Sequence, residues 1–319
     1  MLISRRQAAA SLFALGGTAL PFSPALAQAL AEPPTDETPT RLNTVPDKFE
    51  HMLAPVTING QGPFQFLIDT GANTSCISRD LAARLMLAGT EPAMIHTIVG
   101  ARERPGVMID RLQVGERNRR GVRAASLPLD AALDGVLGVD WLKGQRLELD
   151  FRARDLAIIH SKGEVSRQGV AVVTARRSQG QLTIVDADLG GRRINAMIDS
   201  GSQMSICNAA LRAMIDSHDR ADPAYRNVGL ETLIGEKFSG ELIYLPFVRL
   251  GGLQMGNVPV VYADMPVFEL WGLKDTPAVM LGMDLLTQFD SVALDYGRGQ
   301  VSFRLADMPS LPQVSYRPA

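Results

Sequence analysis

Apolar and polar positions along this chain alternate in short runs, and few stretches repeat with a helical period. The runs APVTING (54–60), PFQFLID (63–69), RLQVG (111–115), RLELDF (146–151) and QLTIVDADLG (181–190) are bounded by Gly, Pro or Asn, and each predicts a strand. Two brief segments read as helices: SRDLAARLML (78–87), opening on Ser78 as a cap, and NAALRAMIDSH (208–218), opening on Asn208. The pattern therefore predicts a mostly-β molecule.

The same landmarks are written twice, in the same order. FLIDTGANTS (66–75) returns as AMIDSGSQMS (196–205), TIVG (97–100) as TLIG (232–235), and LQVG (112–115) as LQMG (253–256). GVLGVDWL (135–142) returns as VMLGMDLL (279–286), and LELDF (147–151) as VALDY (292–296). The offset drifts from 130 residues through 135 and 141 to about 144, as it would if loops had lengthened in the second copy. One such pair could arise by chance, but four landmarks in register, the last running on from GVLGVDWL to LELDF, imply two copies of one structural unit. The boundary is expected near residues 162–168, with the first lobe over 46–164 and the second over 165–310.

In each copy an apolar run ends on an aspartate, and burying a carboxylate is costly unless it is paired or hydrogen-bonded. Gly71 and Gly201 permit the tight turn that follows, and Thr70 and Ser200 place a short hydroxyl beside each aspartate. If the copies pack about a pseudo-twofold axis through these turns, Asp69 and Asp199 face each other. Two carboxyls so close share one proton, which makes one a base and the other an acid. That pair suits attack of water on an amide carbonyl without a metal or a covalent acyl intermediate, so no cofactor is expected. The chain carries no GxSxG, no HExxH and no recognisable Cys/His signature. A plainer alternative is that the two aspartates only cap their own turns, but that leaves the matched downstream segments unexplained.

IDTGA and IDSGS, each followed by an apolar-apolar-Gly segment (VLG at 136–138, MLG at 280–282), resemble the aspartic proteases over most of residues 50–305. The resemblance implies an all-β, two-lobed acid-protease fold with a cleft between pseudo-twofold-related β-barrel lobes. It implies Asp69 and Asp199 as the catalytic pair, Thr70 and Ser200 as interlocking hydroxyls beneath it, and VLG and MLG crossing behind each turn. Pepsin-like members carry a flap tyrosine in the first lobe, whereas the first tyrosine here is Tyr225. TIVGARE (97–103) is instead similar to the Gly-tipped flap of retroviral proteases, TLIGEKF (232–238) repeats it, and Ala72 is the retroviral choice after Asp-Thr-Gly. Val139 and Met283 stand where the retroviral Gly-Arg-Asn/Asp has its arginine, which leaves that family's buried-arginine ion pair without its arginine. The reading is a single-chain tandem of two retroviral-type lobes, an endopeptidase holding an extended polypeptide under a flap. Ala72, Ser202, Ile98, Val99, Gly100, Ile234 and Gly235 are its expected substrate contacts. Gly100 and Gly235 also fit plain hairpin glycines. The alternative from another class is a non-catalytic periplasmic peptide- or polymer-binding protein with the same fold. Because Ala72 lacks the hydroxyl that Ser202 can turn to its own carboxylate, Asp199 is expected to ionise more readily, with activity reaching weakly acidic or neutral pH.

Composition then narrows the setting. With 46% hydrophobic and 21% charged residues and a formal charge of −2, the 319-residue chain reads as an ordinary globular protein, not a nucleic-acid binder. MLISRR, the apolar stretch Ala8 to Leu20 and Ala25-Leu26-Ala27 read as an export signal over residues 1–27, and the Ser4-Arg5-Arg6-Gln7 start resembles a twin-arginine signal. This predicts an exported, periplasmic or secreted monomer with no membrane insertion once the signal is cut. Residues 28–45 read as a flexible, solvated arm and 311–319 as a tail. Cys76 and Cys207 occupy near-equivalent positions in the two lobes, which favours two small buried thiols over a disulfide. Trp141 and Trp271 read as packing residues, Arg117, Arg119, Arg120 and Arg123 as a solvated hairpin face, and Asp140, Asp150, Asp284 and Asp295 as partners in turn and helix hydrogen bonding.

Overall fold

The computed structural model describes residues 39–142, 144–161, 170–178, 181–216 and 226–305. The export signal, the start of the arm, the expected boundary segment and the tail lie outside the described residues.

The first lobe holds β3 (Met52–Ile58), β4 (Gln61–Ile68), β5 (Cys76–Ser78), β6 (Gly89–Thr97), β7 (Gly100–Val114), β8 (Arg117–Leu127) and β9 (Gly135–Leu137). The second holds β13 (Gln181–Leu189), β14 (Arg192–Ile198), β15 (Ile206–Cys207), β16 (Arg226–Glu231), β17 (Lys237–Leu250), β18 (Leu253–Tyr262) and β19 (Ala278–Leu281). Their spatial orders are β3-β4-β9-β5-β8-β7-β6 and β13-β14-β19-β15-β18-β17-β16, the same permutation twice. Extra pairings of β3 with β7 and of β13 with β17 curl each sheet back on itself, giving two barrel-like lobes. The repeat in the text is thus a repeat of topology, and the protein is an all-β, two-lobed molecule of the acid-protease type.

The expected strands form because their apolar residues face a core and their flanking glycines turn the chain. In β3, Met52, Ala54, Val56 and Ile58 are buried together with Phe66 and Ile68 of β4. Helix α1 (Arg79–Arg84) begins at Ser78, whose hydroxyl accepts the Leu81 N–H at 3.1 Å, and α2 (Ala209–Asp216) follows Asn208, whose Oδ1 accepts Leu211 N–H at 3.0 Å. Two further single-turn helices, α3 (Val267–Leu270) and α4 (Met283–Leu286), lie in the second lobe.

A second layer joins the lobes. Its strands β10 (Gln145–Asp150) and β20 (Ser291–Asp295) pair antiparallel, Leu147 opposite Leu294, with both residues fully buried. Outside them lie β11 (Asp155–His160) and β21 (Gln300–Arg304), and then β1 (Thr40–Asn43) and β12 (Val170–Ser178). Strand β12 runs on to pair with β13, and on the other side β2 (Val45–Pro46), just after β1, pairs with β3. Residues 40–45 are therefore not part of a solvated arm. Thr40 and Thr44 are buried, and β1 completes the edge of β11, a tertiary pairing that the polar text TRLN does not announce.

The arginine run also departs from expectation. Arg117 is 1% exposed, and Arg119 donates to the Asp140 carbonyl at 2.9 Å while lying 4.7 Å over the Trp141 ring. Arg117 and Arg119 thus pack inward on their aliphatic stems, whereas Arg120 and Arg123 are exposed as expected. Trp141 and Trp271 are buried packing residues, and Cys76 and Cys207 are both free and buried, as expected. Asp150 accepts the Ala153 N–H, and Asp295 accepts the Gly297 and Arg298 N–H groups, so both serve turns. Among the described residues no helix is long and apolar enough to cross a membrane.

Candidate active site

Strands β4 and β14 deliver Asp69 and Asp199 to the interface between lobes. Each is flanked by a parallel partner: Ile68 lies opposite Leu137 of β9, and Ile198 opposite Leu281 of β19. The Asp69 N–H donates to Leu137 O and the Asp199 N–H to Leu281 O, both at 3.0 Å. VLG and MLG therefore back the two turns as the sequence implied. A Cβ on Gly138 or Gly282 would come within 2.8 Å of main-chain oxygens of the neighbouring turn, so only glycine fits these crossings.

Beneath the aspartates the turns interlock. The Thr70 hydroxyl donates to Ile198 O at 2.9 Å and accepts the Ser200 N–H at 3.1 Å. Reciprocally, the Ser200 hydroxyl donates to Ile68 O at 2.7 Å and accepts the Thr70 N–H at 3.1 Å. Both side chains are buried, so four bonds close a ring that fixes one turn against the other. Gly71 and Gly201 are required by proximity: a Cβ on Gly71 would stand 2.5 Å from the Asp199 carboxyl carbon, and one on Gly201 would overlap the Asp69 carboxyl.

The two carboxyl groups face each other closely enough that each shifts the other's titration. Asp69 Oδ1 also accepts N–H groups from Gly71 at 2.7 Å and Ala72 at 2.9 Å, and Asp199 Oδ1 accepts the Gly201 N–H at 2.9 Å. Burial raises the Asp69 carboxyl above its ordinary range, opposed by the bonds from Gly71, Asp199 and Ala72 and by the charge of His51. Burial raises Asp199 further, and the Asp69 charge adds to it. The two titrate as one pair that shares a proton above the ordinary carboxylate range. The bond expected of the Ser202 hydroxyl is not made: it donates to Met204 O at 2.9 Å, not to its own carboxylate. Its N–H, which bonds the Asp199 main-chain oxygen at 3.3 Å, exerts only the weakest of the pulls on the carboxyl.

The supporting shell is also duplicated. Ser75 donates to Asp140 at 2.8 Å and accepts the Gly138 N–H at 3.1 Å, while Ser205 donates to Asp284 at 2.7 Å and accepts the Gly282 N–H at 3.0 Å. A serine–aspartate bond thus backs the turn in each lobe, so Asp140 and Asp284 serve hydrogen bonding as expected.

Both Gly-tipped segments are hairpin tips, and each reaches the opposite lobe. Ile98 and Val99 form the two-residue turn between β6 and β7, with Thr97 opposite Gly100. They pack on a second-lobe cluster containing Met265, Val267, Phe268 and Trp271, and Ile98 O accepts the Val267 N–H at 3.3 Å. Leu233 and Ile234, between β16 and β17, pack on a first-lobe cluster with Leu53, Leu67, Ile95 and Leu127. Gly235 has φ +79° and its N–H donates to Thr232 O at 3.0 Å, closing the tip. Arg102 of the first hairpin and Glu236 of the second form an ion pair at 3.9 Å. Ala72 and Ser202 follow the aspartates in their turns, half-buried.

Two residues near the pair were not singled out from sequence. His51 acts on Asp69, and buried Tyr296, whose hydroxyl is pushed up by burial and by the charges of both aspartates, lies near the pair in the second lobe. Only the VALDY repeat pointed near Tyr296; the signal for His51 was the hairpin register alone. Among the described residues no group of three or more His, Cys, Asp or Glu could hold a metal ion.

Comparison with known proteins agrees with this geometry lobe by lobe. Residues 54–144 match the model of the gag-polyprotein-like aspartyl proteases, and residues 185–285 match a second model described as aspartyl protease. No curated protein matches the chain. With one aspartyl-protease match in each copy of the repeat, in tandem, the comparisons agree with a two-lobed, retropepsin-like protease.

Proposed function

We propose that the protein is an aspartic endopeptidase in which Asp69 and Asp199 activate water against a peptide bond. The observation that carries this reading is the carboxyl pair itself: two part-buried, coupled aspartates on turns locked by Thr70 and Ser200. Asp69, the charged member, takes a proton from a water lying between the carboxyls. Asp199, the protonated member, donates to the carbonyl oxygen of the scissile bond as the tetrahedral gem-diol forms. As that intermediate collapses, Asp69 passes its proton to the leaving amine nitrogen and a gem-diol hydroxyl returns one to Asp199, which restores the starting pair. Since burial raises both groups, the singly protonated pair persists above the range of ordinary carboxyls, which favours activity toward weakly acidic or neutral pH.

The substrate is an extended polypeptide lying between the lobes and bonding to hairpin main chain as an added strand. Both hairpins cross to the opposite lobe, which supports a pair of flaps in place of a single working one. Ile98, Val99, Gly100, Ile234 and Gly235 then cover the substrate, with Ala72 and Ser202 beside it. Action in the periplasm or outside the cell follows from the proposed export signal. The test is cleavage of a denatured protein substrate across pH 3–8. Wild-type protein should cut it in a pepstatin-sensitive manner and Asp69→Asn should not. A folded wild type that leaves a broad peptide library intact overturns the reading in favour of a binding protein.

A further inference from the structure

The two carboxyls share one proton, and the turns that carry them differ so little that what places that proton must be sought beyond them. The difference lies one strand away. Leu53 of β3 pairs with Leu67 of β4, and the same register carried two residues onward sets His51 opposite Asp69. In the second lobe Thr183 pairs with Met197, so the position opposite Asp199 is Gln181, a residue that carries no charge.

His51 is 3% exposed and is held by a short loop built around Asp47. Its Nδ1 lies 2.8 Å from Asp47 Oδ2, while Asp47 Oδ1 accepts N–H groups from Phe49 at 2.7 Å and from His51 itself at 3.0 Å. Three donors thus fix the Asp47 carboxylate, and the carboxylate fixes the ring, as an orienting acid does for an imidazole. The other ring nitrogen, Nε2, is buried and has no hydrogen-bond partner among the described residues. Phe49 stacks edge-on over the imidazole with centroids 5.9 Å apart, and Lys48 lies over the Phe49 ring. The groups acting with Asp69 are Asp199 from the facing turn, Cys76 of β5, Tyr296 after β20 and His51, and of these His51 is the one whose side chain can carry positive charge.

We propose that His51, held by Asp47, is the positioning residue that decides which aspartate of the pair is ionised: its charge stands behind Asp69 alone, so Asp69 keeps the carboxylate and Asp199 the proton. The inference rests on the proton-sharing pair of the endopeptidase reading and adds the element that breaks its symmetry. His51 touches neither substrate nor reacting water; it acts through Asp69.

The experiment is ¹³C NMR titration of aspartate carboxyls in wild type, His51→Gln and Phe49→Ala, with Asp69→Asn and Asp199→Asn as assignments. In His51→Gln the Asp69 transition should move to higher pH by about half a unit or more, the size of one partly screened charge acting over several ångströms. The acidic limb of kcat/KM should move with it, the plateau changing little. Phe49→Ala, which lets water screen the imidazole, should shift Asp69 the same way by less. A folded His51→Gln with an unmoved Asp69 transition overturns the proposal. If that variant does not fold, an unmoved Asp69 in Phe49→Ala overturns it. Failure of the wild type to cleave peptides would refute the endopeptidase reading alone, because the carboxyl titrations are read without substrate.

Discussion

At the scale of single residues, the carboxyl pair trades stability for a held proton. Burial raises Asp199 well above 3.8, so between that value and its folded one the native state binds a proton that the unfolded chain releases. Stability therefore falls as pH rises through this window and levels off above it. Asp199→Asn removes the buried charge problem, so its Tm should exceed that of wild type at neutral pH, by roughly 2–4 °C per kcal/mol relieved. The advantage should vanish as pH approaches 4, as calorimetry at stepped pH would show; a variant no more stable than wild type at pH 7 would contradict the assignment. Asp69 and Asp199 were legible because each closes an apolar run with Asp-Thr/Ser-Gly, and a carboxyl buried twice in the same way demands a partner that the other copy supplies. Ser202 misled because a turn hydroxyl has two acceptors in reach, its own carboxylate and Met204 O, and sequence does not choose between them. His51 was missed because its place opposite Asp69 follows from strand register, not from neighbours in the chain.

Among the elements, the interlocked turns hold the site together. Thr70→Ala would strand the Ile198 carbonyl and the Ser200 N–H in a buried setting, at about 1–3 kcal/mol each. Denaturant unfolding should show a loss of roughly 2–6 kcal/mol, whereas Thr70→Ser, which keeps the hydroxyl, should recover most of it. Equal losses in both variants would place the effect in the methyl contact instead. The strands and both capped helices were legible from alternation, glycine boundaries and caps. Strand β1 was not, since TRLN has no apolar alternation and becomes a strand only because β11 offers an unpaired edge. Arg117 and Arg119 read as solvent-facing by charge, but long aliphatic stems and the Trp141 ring draw them over the core.

For the whole molecule, the doubled text becomes a doubled topology, and the site exists only where the copies meet. The β10–β20 pairing, the Thr70–Ser200 lock and the crossed hairpin tips all run from one lobe to the other. Two family matches, one per lobe, say that each half is of protease type, but neither half carries more than one carboxyl of the pair. The central claim is that Asp69 and Asp199 form a single proton-sharing unit. It is tested most directly by kcat/KM on one peptide for Asp69→Asn, Asp199→Asn and the double variant. Each single change should cost at least ~10²-fold, the low end for a positioned acid or base, and the double should be no worse than the worse single, since residues acting as one unit are not additive. A single variant with near-wild-type activity, or a double variant whose loss is the product of the two, would contradict it.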